Sequence, residues 1–145
     1  MILKEEKRDL FKVDGKYYLA HCISSDCAMG AGIAVEFQKK YNLKRTLLSN
    51  GFMHRKHPSC ILVNKVFNLI TKDLYWHKPT YESLKVSLIK MKEIIQSEKE
   101  HGVNIEYLAI PKIGSGLDRL QWGKVREIIE DVFKDMDIKI LVCYL

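Results

Sequence analysis

The chain has 145 residues, enough for one domain that buries about two-thirds of the surface its unfolded form would expose. Lysine and arginine outnumber aspartate and glutamate by 24 to 18, and the net charge of +6 favours an anionic partner such as a nucleotide or nucleic acid, although it also serves solubility. The apolar runs are far shorter than the roughly 20 residues that span a bilayer, and the charged N-terminus differs from a signal peptide, so we expect a soluble intracellular protein with no membrane partner.

Apolar periodicity divides the chain into strands and helices. Continuous apolar runs predict buried strands, and apolar residues at steps of three and four predict amphipathic helices. In chain order the predicted elements are an edge strand or loop over 1–14, a strand over 16–23, a helix over 33–41, a short helix over 44–50, paired strands over 60–63 and 66–71, a helix over 81–99, a strand over 107–110, a helix from Trp122 and a strand over 139–145. This order predicts an α/β sandwich with a mixed sheet and helices on both faces.

Local signals set the limits of several elements. Asn64 and Lys65 separate the paired strands as a tight hairpin, and the second of these strands ends at Lys72. Thr80 is a suitable N-cap for the helix that follows, and Gly102 lies just beyond the end of that helix.

Two loops with glycines follow predicted strands, over residues 24–32 and 111–119. Ligands of open α/β sheets bind outside the carboxyl ends of strands, where backbone N–H groups of such loops can surround a phosphate. There is no G-x-x-x-x-G-K-[ST] motif, and Gly114-Ser115-Gly116 lacks the third glycine of the dinucleotide fingerprint. The pattern is compatible with a diphosphate held between the two loops, although Gly30 and Gly32 would equally suit the start of a helix.

Lys72 and Asp118 are the polar pair that this layout places at the crevice. A lysine in a dry pocket can act as a nucleophile while a carboxylate transfers protons. An exposed salt bridge is the more common role for such a pair, and the pattern alone leaves both interpretations open.

Neither cysteine nor histidine forms a strong motif. The four cysteines are Cys22, Cys27, Cys60 and Cys143, whose spacing is not that of a zinc site, so we expect buried reduced thiols. His21 and Cys22 are adjacent on a strand and point to opposite faces, which argues against a catalytic thiol. His54 and His57 lie in a basic stretch without partners in the sequence, so a solvated surface is favoured over a metal site.

Five blocks of sequence extend this interpretation. They are LAHCIS (19–24), MGAGIA (29–34), LITK (69–72), HKPTY (77–81) and IGSGLDRLQW (113–122). In this order they resemble the macrodomains of the terminal ADP-ribose protein glycohydrolase type, also called O-acetyl-ADP-ribose deacetylases. The resemblance covers nearly the whole chain and implies one macrodomain over residues 1–145, a three-layer α/β/α sandwich with a mixed central sheet.

The resemblance also implies an activity. It implies a hydrolase without cofactor or metal that cleaves ADP-ribose from acidic side chains and deacetylates O-acetyl-ADP-ribose; close relatives also act on ADP-ribose attached to nucleic acid. In that family the lysine matching Lys72 attacks the anomeric carbon of the distal ribose, and the aspartate matching Asp118 resolves the covalent adduct. Macrodomains without these two residues are often readers, so a module that only binds ADP-ribose is the alternative.

Ligand-binding residues are implied in the same way. They are Asp9 and Leu145 near the adenine, Ser24 in the first loop, Met29, Gly30, Ala31, Gly32 and Ile33 around the distal ribose and diphosphate, and Gly114, Ser115, Gly116 and Leu117 with N–H groups that face phosphate. Arg8 departs from the family, which usually has glycine before the acid. The implied partners are ADP-ribose or an ADP-ribosylated protein, bound by a monomer in the nucleus or cytoplasm. An accessory nucleic-acid contact is left open by four basic residues: Lys44, Arg45, Arg55 and Lys56.

Overall fold

The structure, a computed structural model, describes residues 1–49 and 58–145. The strands are β1 (Ile2–Lys7), β2 (Tyr18–Ser24), β3 (Ser59–Val63), β4 (Val66–Lys72), β5 (Tyr107–Ile110) and β6 (Lys139–Tyr144); the helices are α1 (Ile33–Tyr41), α2 (Leu43–Ser49), α3 (Tyr81–Glu100) and α4 (Trp122–Phe133). The predicted loop over 52–59, with His54, Arg55, Lys56 and His57, lies mostly outside the described residues, as does Asn50 at the end of the predicted short helix. No helix in the described ranges is both long and apolar enough to cross a membrane.

The six strands form one mixed sheet in the order β1-β6-β5-β2-β4-β3. Neighbouring strands are parallel except β3, which pairs antiparallel with β4. Asn64 and Lys65 join β3 to β4 with positive φ angles of 47° and 66°, the conformation of a two-residue hairpin whose twist matches that of its strands. The predicted mixed sheet and hairpin are confirmed.

Helices cover both faces of the sheet, each over its own hydrophobic core. Leu88 of α3 and Ile129 of α4 belong to the core on one face. Phe37 of α1 and Leu47 of α2 belong to the core on the other. Because side chains alternate along a strand, the buried parallel strands contribute to both cores, which explains their nearly continuous apolar sequences. The predicted three-layer sandwich is confirmed.

The first residues form a regular strand, where the sequence predicts either an edge strand or a loop. β1 is an edge strand that pairs in parallel with β6, from Ile2 opposite Lys139 to Lys7 opposite Tyr144. A 3₁₀ turn follows, and Asp9 caps it by accepting the Phe11 N–H at 2.9 Å. Parallel pairing of the first and last strands brings their carboxyl ends to the same edge of the sheet.

Helix α3 is closed at both ends by local hydrogen bonds. The Thr80 hydroxyl accepts the Ser83 N–H at 3.0 Å, and the Ser83 hydroxyl oxygen accepts the Thr80 N–H at 2.9 Å, which forms a capping box. At the other end Gly102 has a φ of 89°, and Val103 N–H donates to the Glu98 carbonyl at 2.8 Å. These are the features of a Schellman cap, so the predicted helix limits are confirmed.

Replacing Thr80 with alanine should destabilise the protein by about 1 kcal/mol, because the Ser83 N–H loses its acceptor at the first turn. Urea unfolding followed by circular dichroism measures the difference. Thr80→Ser is the matched control, since it retains a hydroxyl at the cap. Equal destabilisation by the two substitutions would contradict a capping role.

His21 is fully buried in β2. Its ring stacks on Phe37 with centroids 4.0 Å apart, and Nε2 lies 2.7 Å from Asn68 Oδ1. The Asn68 amide nitrogen donates to the carbonyls of Ile61 and Val66, so its oxygen is the acceptor and His21 Nε2 carries the proton. Burial lowers the pKa of His21 to about 4, despite the hydrogen bond to Asn68, which favours the charged form.

Because the His21 imidazole is buried, we expect the folded protein to lose stability in acid. The unfolded chain takes up a proton at this residue near pH 6.5, whereas the folded chain does so only near pH 4, so stability rises with pH across this window. We expect a loss of about 3 kcal/mol from this residue as the pH falls from 6.5 to 4. Urea unfolding at several pH values measures it. His21→Gln keeps a donor for Asn68 and should flatten the profile between pH 4 and 6.5; an unchanged profile would refute the assignment to His21.

Candidate active site

The carboxyl ends of five parallel strands meet at one edge of the sheet, and the predicted site residues gather there. Lys72 is the last residue of β4, and Ser24 is the last residue of β2. A register shift between Ile23 and Ser24 places Ser24 opposite Lys72. Asp118 lies in the loop after β5. The sheet therefore brings together residues that are distant in sequence.

Lys72 and Asp118 form a direct ion pair. Lys72 Nζ donates to Asp118 Oδ1 at 2.7 Å, and the two side chains are only 14% and 15% exposed. Charge-assisted hydrogen bonds of this length are stronger than neutral ones, and partial burial reduces screening by solvent. The geometry allows a proton to pass between amine and carboxylate across one hydrogen bond.

Asp26 ties the first loop to the segment after β4. Its carboxylate accepts hydrogen bonds from the Ser24 hydroxyl, from Ala28 N–H at 3.1 Å and from Tyr75 N–H at 2.9 Å. Burial raises the pKa of Asp26, but these hydrogen bonds and the charge of Lys72 outweigh it and hold the pKa below its usual value. The charged Asp26 carboxylate therefore holds the first loop to the segment after β4, beside the Lys72 ion pair.

The loop after β5 contacts both other segments. A Cβ built on Gly32 would lie 3.2 Å from Leu117 Cδ1, so the Leu117 side chain rests against the first loop. Lys78 Nζ donates to the Leu117 carbonyl at 2.8 Å. Together with the Lys72–Asp118 and Asp26–Tyr75 contacts, these link the first loop, the segment after β4 and the loop after β5 to one another.

The amides of the second loop are not equivalent. Ser115 N–H donates to the Lys112 carbonyl at 3.2 Å, and Gly114 N–H interacts with the Cys22 thiol. Within the described ranges, the N–H groups of Gly116 and Leu117 have no acceptor. Gly116 and Leu117 are exposed, so their amides are open to an anion.

The other predicted ligand-binding residues occupy distinct positions. Gly30, Ala31 and Gly32 are exposed, Ile33 begins α1, Asp9 caps the turn after β1, and Leu145 follows β6 with 90% of its surface exposed. The Met29 side chain is buried in the core, with its sulfur 4.0 Å from that of Cys27. Only backbone atoms of Met29 can therefore face the crevice.

The thiols are unsuited to nucleophilic chemistry. All four cysteines are free, three are buried and Cys22 is half-buried. Burial, followed by the nearby charge of Asp118, raises the pKa of Cys22 to about 12, and burial raises the pKa of Cys27, Cys60 and Cys143 as well. The thiolate is the reactive form, so the expectation of structural thiols is confirmed.

Known proteins match this chain along nearly its whole length. It is 44% identical over 140 residues to ADP-ribose glycohydrolase OARD1 of Homo sapiens, in an alignment that covers 94% of this chain and 87% of the human protein. The chain belongs to this ADP-ribose glycohydrolase OARD1 family, and is a hydrolase. OARD1 of Bos taurus is 43% identical with the same coverage. No protein-family profile matches the chain.

Solved structures share the fold of this OARD1-family chain. The macrodomain of Mycobacterium tuberculosis DarG superposes with a TM-score of 0.81 at 19% identity, covering 99% of this chain and 98% of its own. Thermosipho africanus DarTG, solved in complex with ADP-ribose, has a TM-score of 0.76 at 16% identity, covering 98% of this chain and 41% of its own. The chain has the macrodomain fold that the sequence resemblance implied.

Sequence reasoning missed two residues whose contacts join the loops around the ion pair, Asp26 and Lys78. Asp26 offers a local signal, since an aspartate that accepts the N–H two residues ahead is typical of an Asx turn, here with Ala28. Its bond to Tyr75 spans 49 residues and has no local signal. The contact of Lys78 with Leu117 is likewise visible only in the fold.

Replacing Gly32 with alanine should destabilise the protein by roughly 1 to 3 kcal/mol. Its φ of 60° and ψ of −149° are open essentially to glycine alone, and the new Cβ would lie 3.2 Å from Leu117. Thermal or urea unfolding measures the loss. Gly30→Ala is the matched control, because its Cβ would come no closer than 3.9 Å to Ala28; if the two variants were equally stable, the strain at Gly32 would be excluded.

Proposed function

We infer that this chain releases ADP-ribose from glutamate and aspartate esters of proteins and also deacetylates O-acetyl-ADP-ribose, with Lys72 as the nucleophile and Asp118 as the acid and base. The single observation that carries the mechanism is the half-buried contact of 2.7 Å between Lys72 Nζ and Asp118 Oδ1 in a chain of the OARD1 family. The relative of this chain in Homo sapiens is an ADP-ribose glycohydrolase, which supports ADP-ribose as the ligand. The choice of ester and the roles of the two residues are the proposal.

The mechanism has two steps. Asp118 accepts a proton from Lys72, the freed amine attacks the anomeric carbon of the distal ribose, and the bond to the acceptor carboxylate breaks as Asp118 passes that proton to the departing carboxylate. A covalent bond between Lys72 and the ribose replaces the ester. Asp118, ionised again, then takes a proton from a water molecule that attacks the same carbon, the carbon–nitrogen bond breaks, and Asp118 returns the proton to the departing Lys72 amine.

The surrounding loops suit a bound diphosphate. The exposed backbone of Gly30 to Gly32 lies on one side, and the free amides of Gly116 and Leu117 lie in the second loop, where Leu117 touches Gly32. Backbone N–H groups are effective donors to phosphate oxygens. Asp9 and Leu145, at the ends of neighbouring strands, are proposed for the adenine.

The mechanism and substrate are tested with four substrates: a glutamate ester, a serine O-glycoside and a thymidine adduct of ADP-ribose, and O-acetyl-ADP-ribose. We expect release of ADP-ribose from the glutamate ester and deacetylation of O-acetyl-ADP-ribose. Binding of ADP-ribose by calorimetry without any release would instead identify a reader. Release from the thymidine adduct alone would show that the carrier is nucleic acid.

The catalytic pair and both loops come from a single chain, which supports action as a monomer. Any accessory nucleic-acid contact through Lys44 and Arg45 should weaken steeply with added salt, because such contacts release counterions. Gel filtration and a salt titration of oligonucleotide binding test these two points.

A further inference from the structure

An exposed apolar rim borders the proposed catalytic pair. We define the acceptor rim as Leu74, Tyr75, Trp76 and Leu117, whose exposed fractions are 38%, 66%, 63% and 62%. Exposed tyrosine and tryptophan are unusual on a free surface and common at the centres of binding sites. The acceptor rim therefore requires an explanation that the catalytic pair does not supply.

Backbone hydrogen bonds and a ring contact hold the segment of the acceptor rim in place. Tyr75 N–H donates to Asp26 at 2.9 Å, and His77 N–H donates to the Leu74 carbonyl at 3.0 Å. The Trp76 and His77 rings contact each other edge to face with centroids 4.2 Å apart. Because these hydrogen bonds already fix the backbone, binding of a partner at the rim does not have to order the backbone as well.

The rim lies close to both residues of the proposed catalytic pair. Tyr75 follows Lys72 by three residues, so their Cα atoms are at most about 11 Å apart. Leu117 immediately precedes Asp118, and its carbonyl accepts a hydrogen bond from Lys78 of the segment that carries the aromatic residues. A carrier bonded to the anomeric carbon at Lys72 would therefore be within reach of these side chains.

We propose that the acceptor rim binds apolar side chains of the polypeptide that flank the modified acidic residue. This inference rests on the proposed function, and it makes Tyr75 and Trp76 specificity-determining residues. Two leucines beside two aromatic rings match apolar side chains better than they match a phosphate backbone. Among the described residues, two of the three cations beside the rim are already bound, Lys72 to Asp118 and Lys78 to the Leu117 carbonyl. The third, Arg119, is exposed, and Asp73 adds an opposing negative charge.

The test compares wild type with the variant Tyr75→Ser/Trp76→Ser. The substrates are a peptide whose ADP-ribosylated glutamate lies between leucines, the same peptide with serines in their place, and O-acetyl-ADP-ribose. We expect kcat/KM of the variant on the leucine peptide to fall about tenfold, the range for losing an aromatic contact. Rates on the serine peptide and on O-acetyl-ADP-ribose should stay within about twofold. Equal rates of the two proteins on the leucine peptide would overturn the proposal.

Ile89→Ser is the matched control, since Ile89 is an exposed apolar residue on α3, at 38% exposure, far along the chain from the catalytic pair. It should leave all three rates unchanged. A tenfold loss on a thymidine-linked oligonucleotide, with peptides unaffected, would show instead that the rim stacks a nucleobase near the exposed Arg119 and would also overturn the proposal.

A binding experiment tests the acceptor rim without the chemical step. In a Lys72→Ala background, calorimetry compares free ADP-ribose with the leucine peptide in which glutamine carries ADP-ribose through a stable amide. The peptide should bind more tightly than ADP-ribose, and Tyr75→Ser/Trp76→Ser should remove that gain alone. If the wild-type protein hydrolyses none of the substrates, the proposed function is wrong, and the calorimetry still tests whether the acceptor rim binds the peptide. If hydrolysis occurs but the peptide binds no more tightly than ADP-ribose, only the rim proposal is wrong.

Discussion

Lys72→Ala should reduce release of ADP-ribose from a glutamate ester by about 10³-fold or more, because the variant has no amine to form the covalent intermediate. Alanine also removes the partner of Asp118, which leaves that carboxylate half-buried without its ion pair. Single-turnover assays with an excess of enzyme measure the chemical step directly. Affinity for ADP-ribose should change much less, since the amides of Gly116 and Leu117 remain in place.

Lys72→Arg is the control that separates charge from nucleophilicity. Arginine keeps a cation beside Asp118 but offers no free amine, because a guanidinium does not lose its proton in proteins. We therefore expect the arginine variant to be nearly as inactive as Lys72→Ala and to fold with similar stability to wild type. Full release by either variant would exclude Lys72 as the nucleophile.

The position of Lys72 was accessible from sequence because local patterns determine it. The apolar run before it predicts a buried strand, and the Asn64-Lys65 turn fixes the direction of that strand. General knowledge of parallel sheets then places its end at a ligand edge. The helix after it was equally predictable, since Thr80 and Gly102 give its limits.

Contacts between loops could not be predicted from local sequence patterns. Asp26 and Tyr75 are 49 residues apart, and Leu117 reaches both Gly32 and Lys78 across different elements. No periodicity records such tertiary contacts, because each depends on how strands are ordered in the sheet. The parallel pairing of β1 with β6 is a further case, since it joins the two ends of the chain.

Arg8 lies beside Asp9, which is proposed for the adenine. Arg8 replaces the usual glycine of the family, yet its backbone N–H still donates to the Tyr144 carbonyl at 2.9 Å. Its side chain is exposed and pairs with Glu6 at 3.3 Å. The departure therefore changes the surface beside Asp9 while the backbone at the ends of β1 and β6 stays paired.

Asp118→Ala should trap the intermediate that Lys72 forms. In the proposed mechanism the ester supplies a good leaving group that can depart as a carboxylate, so attack by Lys72 proceeds with solvent water taking its proton when Asp118 is absent, whereas hydrolysis of the adduct needs a base to activate water. Slow resolution after faster formation lets the adduct accumulate. Intact-protein mass spectrometry should show a mass increase equal to one covalently attached ADP-ribose, and turnover should fall by about 10³-fold.

The location of the adduct decides between mechanisms. Peptide mapping should place it on Lys72, and Lys72→Ala/Asp118→Ala should show none, because the Lys72 side chain supplies the attacking nitrogen. Asp118→Asn tests the proton step alone, since the amide keeps the size of the side chain and a hydrogen bond to Lys72 but accepts no proton at neutral pH; it should also accumulate the adduct. Loss of turnover in both variants with no adduct on Lys72 would instead mean that Asp118 activates water for direct attack on the ribose, with Lys72 serving only as its ion-pair partner.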